Sequence, residues 1–165
     1  MRPQPRTSLA FPASIAVSLL LAGCQALLPD TVPSDLLVSF ERGPCFGTCP
    51  VYFLTVAADG TVAYNGLNFV LTKGDQESAL STEQVAELYQ AVLAADFFGL
   101  EDRYEVAATD LPSIITTVTM DGQAKTVYHY GLGCGTDLDL APPGLCQVEA
   151  LLESIAESNG WVSSD

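Results

Sequence analysis

The stretch Pro44-Cys45-Phe46-Gly47-Thr48-Cys49-Pro50-Val51-Tyr52 decides how the rest of this chain is organised, because it places two cysteines, a glycine and two prolines directly before a strand-like run. Cysteines four residues apart can close a tight loop when the glycine between them supplies a positive φ or another unusual backbone state. Pro50 then pushes Cys49 toward the extended region, so the chain leaves the loop aimed into a strand. The stretch predicts a disulfide-stapled loop that opens a β-strand.

Two other interpretations of this cysteine pair stay open. A thioredoxin-like redox site uses Cys-x-x-Cys at the start of a helix, whereas Cys45 and Cys49 have three residues between them and precede a strand. A zinc site would also recruit Cys134, Cys146 and the single histidine, His129, but an exported protein tends to oxidise its thiols. The spacing therefore favours a structural disulfide over redox chemistry or a metal.

The first two dozen residues predict export and lipidation. Arg2 and Arg6 form a positive start, and the segment ends in the lipobox Leu21-Ala22-Gly23-Cys24. The apolar run between them, Leu9 to Leu21, is too short for a stable spanning helix. We expect cleavage before Cys24 and acylation of that cysteine, which would anchor the protein to a membrane.

This processing divides the chain into three parts. Residues 1–23 form a lipoprotein signal peptide, residues 24–35 a lipidated N-terminus and proline-punctuated tether, and residues 36–165 a single domain. Gln25 follows the lipidated cysteine, which by analogy with enterobacterial sorting favours the outer membrane, facing the periplasm.

The charge balance bears on the class of partner. The whole chain has six basic and 20 acidic residues, a net charge of −14. Cleavage would remove Arg2 and Arg6, and four basic against 20 acidic residues leave −16. Such a balance argues against nucleic acid and favours cationic partners, and the scattered acids indicate a solvated surface.

Several motifs resemble an uncharacterised bacterial domain family, the domain of unknown function six-four-three-eight. They are Cys45-Phe46-Gly47-Thr48-Cys49-Pro50-Val51-Tyr52, Asp59-Gly60, Phe97-Phe98, Tyr104, Thr109-Asp110-Leu111-Pro112 and the strand from Gly122 to Tyr130. The resemblance covers roughly Leu36 to Trp161 and implies an exported, often lipid-anchored α+β domain, with no activity or catalytic residue to transfer. The chain departs from the family at Gly131 to Cys146, a longer loop bracketed by Cys134 and Cys146.

Hydrophobic periodicity independently predicts an α+β fold. Apolar alternation and Asp-Gly turns indicate strands at Leu36–Arg42, Val51–Ala57, Thr61–Tyr64, Asn68–Thr72, Ile114–Met120 and Lys125–Tyr130. A helix opens at Ser81, with Gln84 as its capping-box partner, and a second runs from about Pro143 to Ser158. The segment from Glu101 to Pro112 is predicted as a loop. We expect an antiparallel sheet of about five to six strands built from hairpins, with two helices packed on one face.

Four residues make up the ligand or redox site that the sequence leaves open: Cys45, Cys49, His129 and Asp110. Strand alternation places Tyr128 and Tyr130 on the face opposite His129, so inward tyrosines would leave the histidine solvated. Asp110 precedes Leu111-Pro112, where an aspartate more often bonds its own backbone than serves as an acid.

The loop before the last helix offers a second, weaker site. Asp137 and Asp139 have a spacing that suits calcium, but the loop lacks further oxygen ligands. We expect the acids to keep the loop soluble while a Cys134 to Cys146 disulfide pins its ends, with Cys45 and Cys49 paired locally as well.

These observations predict a non-enzymatic binding or interaction module on a lipid anchor. The chain has no Gly-x-Ser-x-Gly elbow, phosphate-cradling glycine loop or His-Glu-x-x-His motif, and we expect no cofactor. The expected partners are the membrane, through Cys24, and an envelope protein or cell-wall component. The alternative is a thiol redox or metal-binding envelope protein that uses Cys45 and Cys49.

Overall fold

A computed structural model describes residues 31–136 and 139–163. Cys24 and the expected signal peptide lie outside these residues, as does Asp137. The described chain is an α+β domain with the strands β1 (Leu37–Arg42), β2 (Val51–Ala57), β3 (Thr61–Asn68), β4 (Gly74–Ala79), β5 (Arg103–Glu105), β6 (Ser113–Met120) and β7 (Gln123–Tyr130). Its helices are α1 (Thr82–Ala94) and α2 (Pro143–Ser158), with a short 3₁₀ turn at Phe97–Gly99.

The seven strands form one sheet in the order β4-β3-β2-β1-β6-β7-β5. Neighbouring strands are antiparallel except at one edge, where β5 runs parallel to β7. The antiparallel α+β class is therefore confirmed, but the sheet has more strands than the five to six predicted.

The hairpin of β3 and β4 accounts for one of the differences between the predicted and the observed strands. β3 continues to Asn68, and the predicted strand Asn68–Thr72 is wrong because Phe69 has a φ of 55°, which takes the chain out of the extended region. The backbone amides of Leu71 and Thr72 donate instead to the carbonyl of Trp161. Strand β4 follows this turn and is polar, half exposed and at the sheet edge, so no apolar alternation marks it.

The other difference lies in the segment from Glu101 to Pro112, which was predicted as a loop. Three of its residues, β5, pair in parallel with the end of β7, where Tyr104 lies opposite His129. A three-residue edge strand carries too little periodicity to be recognised in a sequence.

The helices follow the predicted pattern closely. Ser81 and Gln84 form the capping box at the start of α1, each side chain accepting from the other residue's backbone amide. The apolar stripe of α2, with Leu145, Val148 and Leu152 buried, joins the same hydrophobic core as the strands. No described helix has the length and apolar character needed to cross a membrane.

Strand register places one row of side chains across the middle of the sheet. Arg42 of β1 lies opposite both Tyr52 of β2 and Ile114 of β6, and Ile114 lies opposite His129 of β7. Because paired residues of neighbouring strands point to the same face, these four side chains share a face. This row contains His129, the centre of the site described next, and Arg42, which like His129 pairs with an acid of α2.

Candidate functional site

His129 is buried, which corrects the prediction that it faces solvent. Only 3% of the residue is exposed, and its neighbour two positions earlier, Val127, is fully buried. The alternation in β7 thus runs opposite to the prediction, because the apolar Val127 fixes which face of the strand meets the core. Tyr128 and Tyr130 are half-buried and stack on each other, with ring centroids 6.4 Å apart.

Two carboxylates flank the buried imidazole. Nδ1 of His129 lies 2.9 Å from Oε2 of Glu149, which is 2% exposed and comes from α2. Nε2 lies 3.1 Å from Oδ1 of Asp139, in the loop before α2, but without hydrogen-bond geometry. His129, Asp139 and Glu149 are named here the carboxylate–histidine cluster.

The electrostatics of the cluster favour a bound proton. Burial lowers the pKa of His129, but the hydrogen bond and charge of Glu149, together with Asp139, outweigh burial and raise that pKa above its ordinary value. Burial raises the pKa of Glu149, and His129 offsets only part of this effect. Both shifts act in the same direction, since each makes the cluster hold protons more tightly than the free side chains would.

A disulfide lies against both carboxylates. The structure joins Cys134 to Cys146, with their Cα atoms 5.5 Å apart. Sγ of Cys134 lies 3.7 Å from Oε2 of Glu149, and Sγ of Cys146 lies 3.5 Å from Oδ2 of Asp139. Disulfide sulfurs carry no proton, so these contacts become S–H donors to carboxylates only if the bond is reduced.

An open pocket reaches the same disulfide from solvent. Its volume is about 590 Å³, and Asp139, Cys134 and Cys146 line it together with residues of α2 that include Gln147 and Ala150. Asp139 belongs to both the pocket wall and the cluster, so the pocket wall and the buried histidine share one carboxylate.

Local backbone contacts hold Asp139 in place. Its side chain accepts from the amides of Gly135 and Ala141, at 3.2 and 2.9 Å. These bonds orient the side chain of Asp139, and its predicted partner Asp137 lies outside the described residues. Of the two residues of the predicted calcium site, only Asp139 is described, and it lies beside His129 and the Cys134–Cys146 disulfide.

A second ion pair extends the contact between α2 and the row of strand residues. Arg42 of β1 forms a salt bridge with Glu153, one helical turn after Glu149. His129 and Arg42 therefore each meet an acid from the same helix, and the two pairs fix how α2 lies along the sheet.

The other predicted site residues lie in a different part of the domain. Cys45 and Cys49 form a disulfide in the loop between β1 and β2, where Phe46 is 87% exposed. The amide of Phe46 donates to the carbonyl of Asp110, so Asp110 joins this loop through its backbone. His129 contacts Glu149 and Asp139 instead, and the four residues do not come together as one site.

Glu149 is the member of the cluster that sequence reasoning missed. A signal was present, because Glu149 falls four residues after Leu145 and three before Leu152, within the apolar stripe of α2. A charged residue in such a stripe is buried only when it has a partner. The partner, His129, is 20 residues away in sequence, which no local pattern reveals.

The arrangement limits the chemistry of the histidine. Nδ1 is hydrogen-bonded to one carboxylate and Nε2 faces another, so both ring nitrogens are directed at acids rather than at a nucleophile. Within residues 31–136 and 139–163, two groups of three side chains have metal-ligating atoms close together. They are His129, Cys134 and Glu149, and Cys134, Asp139 and Cys146, with the atoms of each group within 4.8 Å of one another.

A family model described as Domain of unknown function (DUF6438) matches residues 36–156, which include both disulfides and the whole carboxylate–histidine cluster. A search of the curated proteins found no match.

Proposed function

Because the chain belongs to the DUF6438 family, whose description names no activity, we propose a function from the site itself: a lipid-anchored cell-envelope protein whose domain binds a partner without chemical turnover. The observation that carries this proposal is the carboxylate–histidine cluster, in which each nitrogen of His129 faces a carboxylate. A general base needs one nitrogen directed at a proton to be abstracted. The cluster instead stiffens the wall of an open pocket.

The pocket supports a binding role. Its volume of about 590 Å³ falls within the range of small-molecule and side-chain sites, and its walls combine small apolar residues with the polar Asp139 and Gln147. The mature chain would carry four basic and 20 acidic residues, so the partner expected here presents neutral or positively charged groups. An envelope protein with a basic segment, or a cell-wall component with free amines, has that character.

The anchor part of the proposal rests on the sequence of the first 24 residues. The lipobox and the tether that follows would hold the domain close to a membrane surface, most simply the periplasmic face of the outer membrane. We also infer that α1 and α2 share one face of the sheet, since their buried stripes join one core with alternate residues of the strands.

The alternative function, thiol redox or metal chemistry at Cys45 and Cys49, draws less support. The two groups of metal-ligating side chains in the described chain both include Cys134, and neither includes Cys45 or Cys49. The exposed Phe46 between those two cysteines suits contact with a partner as well as it suits a reactive loop.

Photo-crosslinking in intact cells tests the binding proposal. A photoreactive residue replaces Gln147 in the pocket wall, and a matched variant carries it at Gln123, exposed at the start of β7. We expect a discrete adduct from position 147 and none from position 123. Equal labelling at both positions, or no adduct at position 147, would contradict a partner site at the pocket.

Membrane fractionation tests the anchor separately. Cys24→Ser removes the acylated side chain, and we expect the protein to move from the membrane to the soluble fraction. A Gln25→Ala variant serves as the control, because it leaves the lipidated cysteine intact. A Cys24→Ser protein that stays in the membrane fraction would show that lipid at this residue is not the anchor.

A further inference from the structure

We propose that the Cys134–Cys146 disulfide closes a transition-metal site, and that reduction of this bond opens the site to a divalent ion of the zinc class. The ligands would be the two thiolates, Asp139 and Nε2 of His129. This proposal concerns a different chemistry from the partner binding described above and does not depend on the membrane anchor.

The sulfur and carboxylate atoms already have the spacing of a metal shell. Ligand atoms around tetrahedral zinc lie about 3.3 to 3.8 Å apart, given metal–ligand bonds of roughly 2.0 to 2.3 Å. Sγ of Cys146 lies 3.5 Å from Oδ2 of Asp139, within that range, and Nε2 of His129 lies 3.1 Å from Oδ1 of the same aspartate, slightly below it. Cys134 belongs to both groups of metal-ligating side chains, one with His129 and Glu149 and one with Asp139 and Cys146.

Two buried atoms of the cluster lack a hydrogen-bond partner in the described chain. They are Nε2 of His129 and Oε1 of Glu149, although both residues are almost fully buried. Unpartnered buried polar atoms are costly and rare, and one account of them is an ion that is absent from the protein alone. Here Nε2 faces Asp139, which also contacts Cys146, and such an ion would lie beside this aspartate.

Glu149 supplies the carboxylate that usually accepts a hydrogen bond from the second ring nitrogen of a metal-binding histidine. Its carboxylate accepts from Nδ1 of His129 at 2.9 Å, which fixes the tautomer that leaves the Nε2 lone pair free for a metal. Glu149 is therefore a positioning residue in this proposal rather than a ligand. Such carboxylate–histidine–metal arrangements set both the orientation and the basicity of the imidazole.

The donor set selects the class of ion. Two thiolates and an imidazole are soft or borderline donors, which suit zinc and its neighbours and not calcium or magnesium. The pocket along Cys134, Asp139 and Cys146 gives the ion a path from solvent. The site is thus distinct from the calcium interpretation of the Asp137 and Asp139 loop.

The redox step balances with a dithiol reductant. Its two thiols are oxidised to a disulfide, and their two electrons and two protons convert the Cys134–Cys146 bond into two thiols. Binding of the divalent ion then releases two protons as the thiols become thiolates. In the oxidised protein neither sulfur can act as a thiolate ligand, so the disulfide blocks the site.

Cobalt binding to the full chain, extracted in detergent, tests the proposal. The protein is treated with a phosphine, which is oxidised to its oxide with an oxygen from water, and is then titrated with Co²⁺. We expect one ion per chain with sulfur-to-cobalt charge-transfer absorption, and no such absorption without reduction. The absence of this absorption in the reduced protein would overturn the proposal.

Variants assign the ligands. Cys45→Ser/Cys49→Ser should keep the absorption, whereas Cys134→Ser/Cys146→Ser should lose it. Glu149→Gln should weaken affinity by about 10- to 100-fold, the usual effect of losing a carboxylate behind a metal-bound histidine. Glu153→Gln is the matched control, one helical turn away and paired with Arg42, and should leave the affinity unchanged. Equal loss in both glutamine variants would contradict the positioning role.

Alkylation of the unmutated chain avoids any folding defect in the variants. After reduction, Zn²⁺ should slow the alkylation of Cys134 and Cys146 by a thiol reagent, with no effect on Cys45 and Cys49. Peptide mass mapping measures all four cysteines in one sample. Equal rates at both pairs with and without Zn²⁺ would overturn the proposal.

Discussion

Nδ1 of His129 in β7 lies 2.9 Å from Oε2 of Glu149 in α2, with both side chains almost fully buried. The contact joins the sheet to the last helix through polar atoms inside an otherwise apolar core. Replacing one partner leaves the other buried without compensation, whereas replacing both does not. This asymmetry allows the interaction energy between the two side chains to be measured.

His129→Leu should lower the free energy of unfolding by about 3–5 kcal/mol, because Glu149 then stays buried without its partner. The double variant His129→Leu/Glu149→Leu should be less destabilised than the sum of the two single variants, since no polar group is left behind. Urea unfolding of all four proteins, with the disulfides intact, gives the coupling energy. Additive effects would show that the two side chains do not act as a pair.

The two disulfides should differ in their contribution to stability. The chain-entropy model gives about 3 kcal/mol for the loop closed by Cys134 and Cys146, and about 2 kcal/mol for the shorter loop closed by Cys45 and Cys49. Double serine variants of each pair, compared by denaturant unfolding, test the order. If the free energy of unfolding fell more in the Cys45 and Cys49 variant, the disulfide would not be what holds the longer loop.

Asp35 should make stability depend on pH in the acidic range. Its two carboxylate oxygens accept from the amides of Asp121 and Gly122, at 3.0 and 2.8 Å, in the positive-φ turn between β6 and β7. These hydrogen bonds lower the pKa of Asp35 below 3.8. The stabilisation is therefore present above that value and is lost as the pH falls through the lowered pKa.

Asp35→Asn tests this dependence, because an amide offers only one acceptor oxygen to the two amides. We expect a lower melting temperature than the unmutated protein at neutral pH and a smaller difference in strong acid. Glu87→Gln, an exposed change on α1, is the control and should show no such pattern. A difference between Asp35→Asn and the unmutated protein that grows as the pH falls would contradict the assigned sign.

Gly144 should not tolerate a methyl group. An added Cβ would lie 2.7 Å from Cα of Ala95, where the start of α2 passes the end of α1. Gly144→Ala gains about 1 kcal/mol of helix propensity but forces the two backbones apart, and overpacking typically costs about 1–3 kcal/mol. We expect net destabilisation in thermal unfolding. Gln147→Ala, exposed on the same helix, should stay within about 0.5 kcal/mol of the unmutated protein.

Sequence reasoning succeeded where the signal was local and periodic. The capping box at Ser81 and Gln84 and the extent of α2 depend on residues within one or two helical turns, and both match the structure. Strand β4 was missed because a polar edge strand needs no apolar residues, and β5 because three residues show no period.

The candidate site was only half predictable. His129, Asp139 and both cysteines of the longer loop stood out by residue type, but His129 was grouped with Cys45, Cys49 and Asp110, and Asp139 with Asp137. The face of β7 that carries His129 is the buried one, because Val127, two residues earlier on the same face, lies in the core. Glu149 reaches the histidine through a tertiary contact between α2 and β7, across 20 residues of sequence.

Nitrogen NMR of the imidazole ring tests the central claim most directly. His129 is the only histidine, so both ring signals belong to this residue. For the oxidised protein we predict an Nδ1–H proton that exchanges slowly with water, because Glu149 accepts it inside the core. The Glu149→Gln variant should shift that nitrogen signal, and Glu153→Gln should not. An imidazole that exchanges rapidly and titrates like a free histidine would contradict the buried carboxylate–histidine cluster on which this account depends.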